Sequence, residues 1–415
     1  MMIRIFIFAI LVINSLLSCF PKSTDDECPP NCPEDTVKYP LDILWETYYY
    51  NDTSRLTNRG SISYKDNIIA LGDTDYSEFK TFMFNKTTGK IEARFDYGLN
   101  PPTTMVVMND WLIVSSLDGI YIDDLNTFER IIHIDKTFDS HFDTIGNYVY
   151  FSQLYGVVPF QDSSSVIRLS IPSLKIKKIL TITKEEYGSF CSLNGVSLEA
   201  MGGDTIIYGF ADVKDDFLFA FSTQKKEYIW KTGVDGYNDV WFFAPLYDDN
   251  RVYIIQNHKV RAYDKFTGQS LWERDIEGWA ASVQPLLLDN RLYVRSTNKH
   301  LYCLDPNSGH SYWYNGDIFY GGRFGYDINN LYFADLDNFQ VVNRSTGKII
   351  FKAAAPYAHI PLEYNHDNRE QRLKEWKRLY SRWAIDPIPV IDRENGVFYL
   401  PDNKRMFCFK LPKDW

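Results

Sequence analysis

The side chains able to do chemistry are present but not gathered into any known reactive pattern. Seven histidines, His133, His141, His258, His300, His310, His359 and His366, are scattered, and only the last two are near one another. Paired carboxylates occur at Asp123-Asp124, Asp215-Asp216 and Asp248-Asp249, where turns ordinarily place acids. The chain has no Gly-x-Ser-x-Gly elbow, no His-Glu-x-x-His, no phosphate loop and no Asp-x-Asp-x-Asp-Gly calcium loop. Of the six cysteines, Cys28 and Cys32 are close enough to close a small disulfide loop. A zinc site there would need two further ligands nearby, and none is present. Cys191, Cys303 and Cys408 stand singly. The formal charge of −10 argues against nucleic acid as a partner.

What the sequence repeats is a turn. Asp264-Lys-Phe-Thr-Gly268, Asp305-Pro-Asn-Ser-Gly309 and Asn343-Arg-Ser-Thr-Gly347 each follow one aliphatic strand and precede another. The glycines are 41 and 38 residues apart, and Trp272, Trp313 and Phe351 follow them at the same step. The Asp or Asn side chain can accept backbone N–H groups of the turn, and the glycine supplies the positive φ that closes it. The trailing aromatic is expected to pack between blades. A period near forty carried by short strands signals a β-propeller. Counting the middle hairpins gives eight four-stranded blades, with seven as the fallback if the third, around Tyr148–Phe151 and Val166–Leu169, is misread. The eighth, Gly396–Leu400 with Arg405–Phe409, lacks an outer strand. Leu44-Trp45-Glu46 copies Leu271-Trp272-Glu273, so residues 42–47 are expected to supply it and close the ring.

These repeats resemble those of pyrroloquinoline-quinone (PQQ)-type propellers, which include quinoprotein dehydrogenases and BamB-type outer-membrane lipoproteins. The resemblance implies an all-β chain with one eight-bladed propeller over 41–415. For a dehydrogenase it would also imply adjacent cysteines and an acidic calcium site beneath the quinone. No two cysteines are adjacent, so the expectation is no PQQ, no other cofactor or metal, and no enzymatic activity. Cys303 and Cys408 occupy equivalent third-strand positions and read as small buried apolar residues.

Residues 1–19 read as a targeting segment: Arg4, then an apolar run too short to span a bilayer, ending Leu16-Leu17-Ser18-Cys19. That ending resembles a bacterial lipobox, which implies lipid on Cys19 and an outer-membrane lipoprotein facing the periplasm or the surface. Residues 20–40, rich in proline and acid, read as a tether.

Turns joining first to second strands are short, and the Asp-x-x-Thr-Gly turns share their face. The opposite face receives the long loops and their aromatics: Tyr76, Phe79, Tyr155, Phe160, Tyr237, Trp241, Trp279, Phe319 and Tyr320. It also receives the one long insertion, 353–386. There Leu373, Trp376, Tyr380 and Trp383 recur at helical spacing, stopped by Pro387. Arg369, Arg372, Lys374, Lys377, Arg378 and Arg382 outnumber Asp367, Glu370 and Glu375 on the remaining surface of that helix. Tyr155, Phe160, Trp241, Trp279, Phe319, Tyr320, Arg372, Trp376, Lys377, Arg378 and Trp383 are therefore the expected contacts of a protein partner in the envelope, aromatics serving as anchors. The protein is expected to be monomeric and to meet the membrane only through its lipid. The alternative is a glycan- or small-molecule-binding propeller, or an enzymatic one, with its site at the channel mouth. Metabolic labelling with a palmitate analogue is expected to mark the wild-type chain and not Cys19→Ser; equal labelling excludes the anchor.

Overall fold

The structure is a computed structural model. It describes residues 39–48, 60–74, 78–98, 102–116, 119–135, 138–155, 162–188, 191–234, 244–278, 284–318, 323–334, 338–356, 388–402 and 405–415. All of them fall within one compact unit, Tyr39–Trp415. Of the predicted insertion only 353–356 is described, Ala353 and Ala354 ending the strand Ile349–Ala354; its predicted helix and the segment 1–38 lie outside these residues.

Alternating apolar strands make eight separate four-stranded antiparallel sheets, as the turn repeat requires, and the seven-blade fallback is dropped. Seven sheets are built from consecutive strands, innermost first. In blade five these are Leu246–Tyr247, Arg251–Gln256, Lys259–Asp264 and Ser270–Asp275. In blade eight, Val390–Asp392, Val397–Pro401 and Arg405–Lys410 are joined by the strand Ile43–Tyr48, which pairs with Arg405–Lys410.

The core is a set of eight hydrophobic slabs, one between each pair of neighbouring blades. A twisted four-stranded sheet has two apolar faces, and each must be covered by the next sheet. Second-strand tyrosines Tyr208, Tyr253, Tyr293, Tyr332 and Tyr399 sit in these slabs, at most 2% exposed.

The turns behave as the sequence implies. Asp264 Oδ1 accepts the N–H groups of Phe266 and Thr267, and Asn343 Oδ1 those of Ser345 and Thr346. Gly89, Gly268, Gly309 and Gly347 have φ between 70° and 72°. Positive φ is nevertheless not why they are glycine. Phe128, Leu174 and Lys226 hold the same position in blades two, three and four with φ of 62°, 56° and 60°.

The reason is the preceding blade. A Cβ on Gly89 would lie 2.5 Å from the Trp45 ring, on Gly268 2.7 Å from Trp230, and on Gly309 2.7 Å from Trp272; Gly347 is closed off in the same way by Trp313. Each indole also donates to a carbonyl of that turn: Trp45 to Lys86 at 2.9 Å, Trp230 to Lys265 at 2.8 Å, Trp272 to Pro306 at 3.0 Å and Trp313 to Arg344 at 2.9 Å. Two residues further on, Thr47, Thr232, Arg274 and Asn315 donate to the carbonyls of the four glycines. A β-bulge aims the indole. Ala262 pairs with Trp272 and Tyr263 with Ser270, leaving Leu271 unpaired and exposed.

Where the preceding blade offers Ala93, Ile132 or Lys177 at this level of its outer strand, the next turn carries Phe128, Leu174 or Lys226 instead of glycine. The seam between blades seven and eight has no such turn. There Phe351 meets Trp415 at 4.8 Å, and the Tyr39 hydroxyl donates to the Ala354 carbonyl at 2.7 Å.

Gly309→Ala should therefore cost about 1–3 kcal/mol, the scale of overpacking a filled site. Gly396→Ala, at a similar φ of 66° but with nothing within 4 Å of the added Cβ, should cost less. Chemical denaturation of the two variants checks this, and equal losses would show that φ alone selects the glycine.

Candidate interaction surface

First-to-second and third-to-outer connections emerge on one face of the ring, and the other connections on the opposite face. On the first face they are short turns such as 65–66, 146–147 and 265–269. The strand ends that flank 156–162, 234–245, 276–285, 316–324 and 355–389 lie on the opposite face. The expected contacts fall on or beside these. Tyr155 ends the strand Tyr148–Tyr155 and Phe79 lies in Glu78–Asn85, but neither side chain is among the described ones. Phe160, Trp241, Trp279, Phe319, Tyr320, Arg372, Trp376, Lys377, Arg378 and Trp383 lie outside the described residues, as do Cys19, Cys28 and Cys32.

What is described is the support beneath that face, and it is charged. Arg405 and Asp402 are 3% and 0% exposed. The Arg405 Nε and Nη2 donate to Asp402 Oδ2 at 2.9 and 2.6 Å, and the guanidinium lies 5.1 Å over the Phe407 ring. In blade five, Arg261 donates to Glu273 at 2.7 Å and to the Gln256 side chain at 2.7 Å. Lys259 pairs with the same Glu273, and the two cations hold that carboxyl below its usual range. In blade six, Arg295 lies 4.8 Å over the Phe333 ring. Burying such groups is tolerable only with partners of opposite charge or an aromatic face. These residues stand in the sequence as charges inside apolar runs, at Leu-Tyr-Val-Arg295 and Arg405-Met-Phe, and that is the only signal that could have marked them.

Another grouping has no sequence signal. Tyr187, Phe217 and Tyr228 meet around the ammonium of Lys231, although Tyr187 comes from the connection between blades three and four.

Two histidines meet a single acid each, His258 with Asp275 at 3.5 Å and His300 with Glu277 at 3.6 Å. His133 stacks on Tyr121 with centroids 4.1 Å apart, and His300 packs against Tyr302 and Tyr314. Among the described residues no three histidine, cysteine or acidic side chains come together in a way that could hold a metal. Cys191, Cys303 and Cys408 are buried, and Cys303 and Cys408 carry free thiols. Burial pushes the Cys191 thiol to about 11 and that of Cys408 to about 12, so neither is a thiolate at neutral pH. No described helix is long and apolar enough to cross a membrane.

Asp402→Ala should strip Arg405 of its buried counter-ion and cost about 3–5 kcal/mol. Thermal denaturation checks this, and a loss under about 1 kcal/mol would mean that water replaces the carboxylate.

Comparison with known proteins agrees with this geometry. Residues 214–318 match the family described as outer membrane protein assembly factor BamB. No curated protein matches the chain in sequence. Among solved structures, BamB from Moraxella catarrhalis superposes with a TM-score of 0.58 at 13% identity, over 89% of this chain and all (100%) of that one. A europium-containing methanol dehydrogenase gives 0.62 at 9% identity, covering 89% of this chain and 93% of the other. Sqt1 from Saccharomyces cerevisiae gives 0.59 at 8% identity, with 88% and 98% covered. At such identities the likeness is one of fold, shared by an assembly factor and an oxidoreductase alike. The chain thus matches the BamB family in sequence over residues 214–318, and its ring of eight four-stranded sheets resembles the BamB structure in fold over 89% of its length.

Proposed function

We propose that the protein is a non-catalytic scaffold of the bacterial cell envelope, exported, tethered to the outer membrane by lipid on Cys19, and binding a protein partner through the face that carries the long connections. The observation that carries this reading is the unequal division of chain between the two faces. Short turns, clasped by the neighbouring blade at four seams, make one face; the other is given the connections 234–245, 276–285, 316–324 and 355–389. Chain placed on one face of a rigid ring costs ordering entropy, and recognition is a common reason to retain it. The match of residues 214–318 to the BamB family supports an assembly role.

In this reading Trp241, Trp279, Phe319, Tyr320, Trp376 and Trp383 supply anchors, with Tyr155 and Phe160 beside them. Arg372, Lys377 and Arg378 steer an acidic or amphipathic partner. Crosslinking and pull-down from native membranes identifies the partner. Trp376→Ala, and the combined Arg372→Glu, Lys377→Glu and Arg378→Glu, are expected to abolish capture while the melting curve stays that of the wild type. Capture undiminished in both variants overturns the assignment of this segment. Raising the salt concentration is expected to weaken the steering contribution, because exposed charges are screened over about 8–10 Å.

A further inference from the structure

On the flank of blade four that faces blade three, three aromatic side chains surround a cation. The Lys231 ammonium lies 3.7 Å from the Tyr228 ring centroid, 5.0 Å from that of Phe217 and 5.5 Å from that of Tyr187. It also donates a hydrogen bond to the Tyr187 hydroxyl at 2.9 Å. The rings brace one another. Tyr187 and Phe217 are 5.5 Å apart, and Phe217 and Tyr228 meet edge to face at 6.2 Å.

Tyr228 shares its strand with Lys231, whereas Phe217 and Tyr187 come from other elements. Tyr228 and Phe217 stand on the outer and third strands of blade four, Glu227–Gly233 and Phe217–Ser222. Tyr187 ends a single helical turn, Lys184–Tyr187, capped by the Thr183 hydroxyl at one end and by Gly188 at φ 71° at the other. Glu186 adds negative potential at the same spot. Lys231 itself is an exposed residue, so its side chain occupies the cage from the solvent side. Burial among the rings pulls its ammonium below the ordinary lysine value, opposed only in part by Glu186.

We propose that Tyr187, Phe217 and Tyr228 form a recognition cage for a primary alkylammonium group, a lysine side chain of the bound polypeptide, with Lys231 as an internal occupant that the incoming lysine displaces. The rings attract any cation through their quadrupoles. The Tyr187 hydroxyl adds a requirement for an N–H donor, which a quaternary ammonium cannot meet. The cage stands beside the connection 184–191, on the face assigned above to the partner, so the proposal rests on that reading for its physiological ligand. An intramolecular competitor lowers the apparent affinity by the fraction of time it fills the site, and so makes capture depend on contacts made elsewhere.

The test needs no partner, so its outcome is separate from that of the pull-down. Purified Lys231→Ala and Lys231→Ser proteins, shown by circular dichroism to melt cooperatively, are titrated with n-butylammonium chloride while tyrosine fluorescence is followed. Saturable binding is expected, about tenfold or more tighter than to the wild-type chain, since the wild-type lysine must first leave. Tetramethylammonium is expected to bind more weakly than n-butylammonium. Adding Tyr228→Leu should abolish the signal. No saturable binding to either Lys231 variant, or binding that survives Tyr228→Leu, overturns the proposal. Tighter binding of tetramethylammonium would overturn the N–H requirement and with it the assignment to lysine.

Discussion

The structure depends on the dock of one blade's tryptophan onto the next blade's glycine. An indole laid over a turn excludes every side chain larger than hydrogen at that position. The ring nitrogen and the residue two places on then bind two carbonyls of the same turn. The slabs between sheets are apolar and non-directional and would tolerate sliding. The dock is directional, and it fixes the rotation and height of each blade against its neighbour. It works at the seams leading into blades one, five, six and seven. The other four seams do without it. Between blades one and two the Tyr97 hydroxyl donates to Asp123, and Arg130 stacks over Tyr97 and Tyr121. Between blades three and four the Asp143 carboxylate accepts the N–H of Leu198 at 2.6 Å. The ring is thus clasped tightly along one arc and held by individual polar contacts along the other.

That arrangement explains which parts of the fold were legible. Gly268, Gly309 and Gly347 with their trailing aromatics are one physical device repeated, so they show in the sequence as a period. Blades two and three lack both partners of the device, and only their alternating strands mark them. Phe128 holds its turn by tolerating a positive φ, which no sequence pattern announces. In the sequence φ alone accounts for the glycine, until the structure places Trp230, Trp272 or Trp313 over it, because the two residues are read in different blades.

The candidate site was less legible, for a different reason. Tyr187, Phe217, Tyr228 and Lys231 come from three segments that only the packing of blade three against blade four brings together. Each alone is an ordinary strand or helix residue. Arg261, Arg295 and Arg405 do stand out as charges in apolar runs, but what they pair with is a tertiary matter. The aromatics named from the long connections lie outside the described residues, so they remain part of the proposed function. The fold itself does not choose between an assembly factor and an oxidoreductase, since BamB and a methanol dehydrogenase both share it.

The central claim is that the tryptophan docks divide the ring into a tightly clasped arc and a looser one. Native-state hydrogen exchange read strand by strand tests it most directly. The account predicts that the outer strands carrying Trp230, Trp272 and Trp313 exchange only near global unfolding. Those carrying Ala93, Ile132 and Lys177 should open earlier, at lower free energy. Uniform protection around the ring, or greater protection in blades one to three, would contradict it.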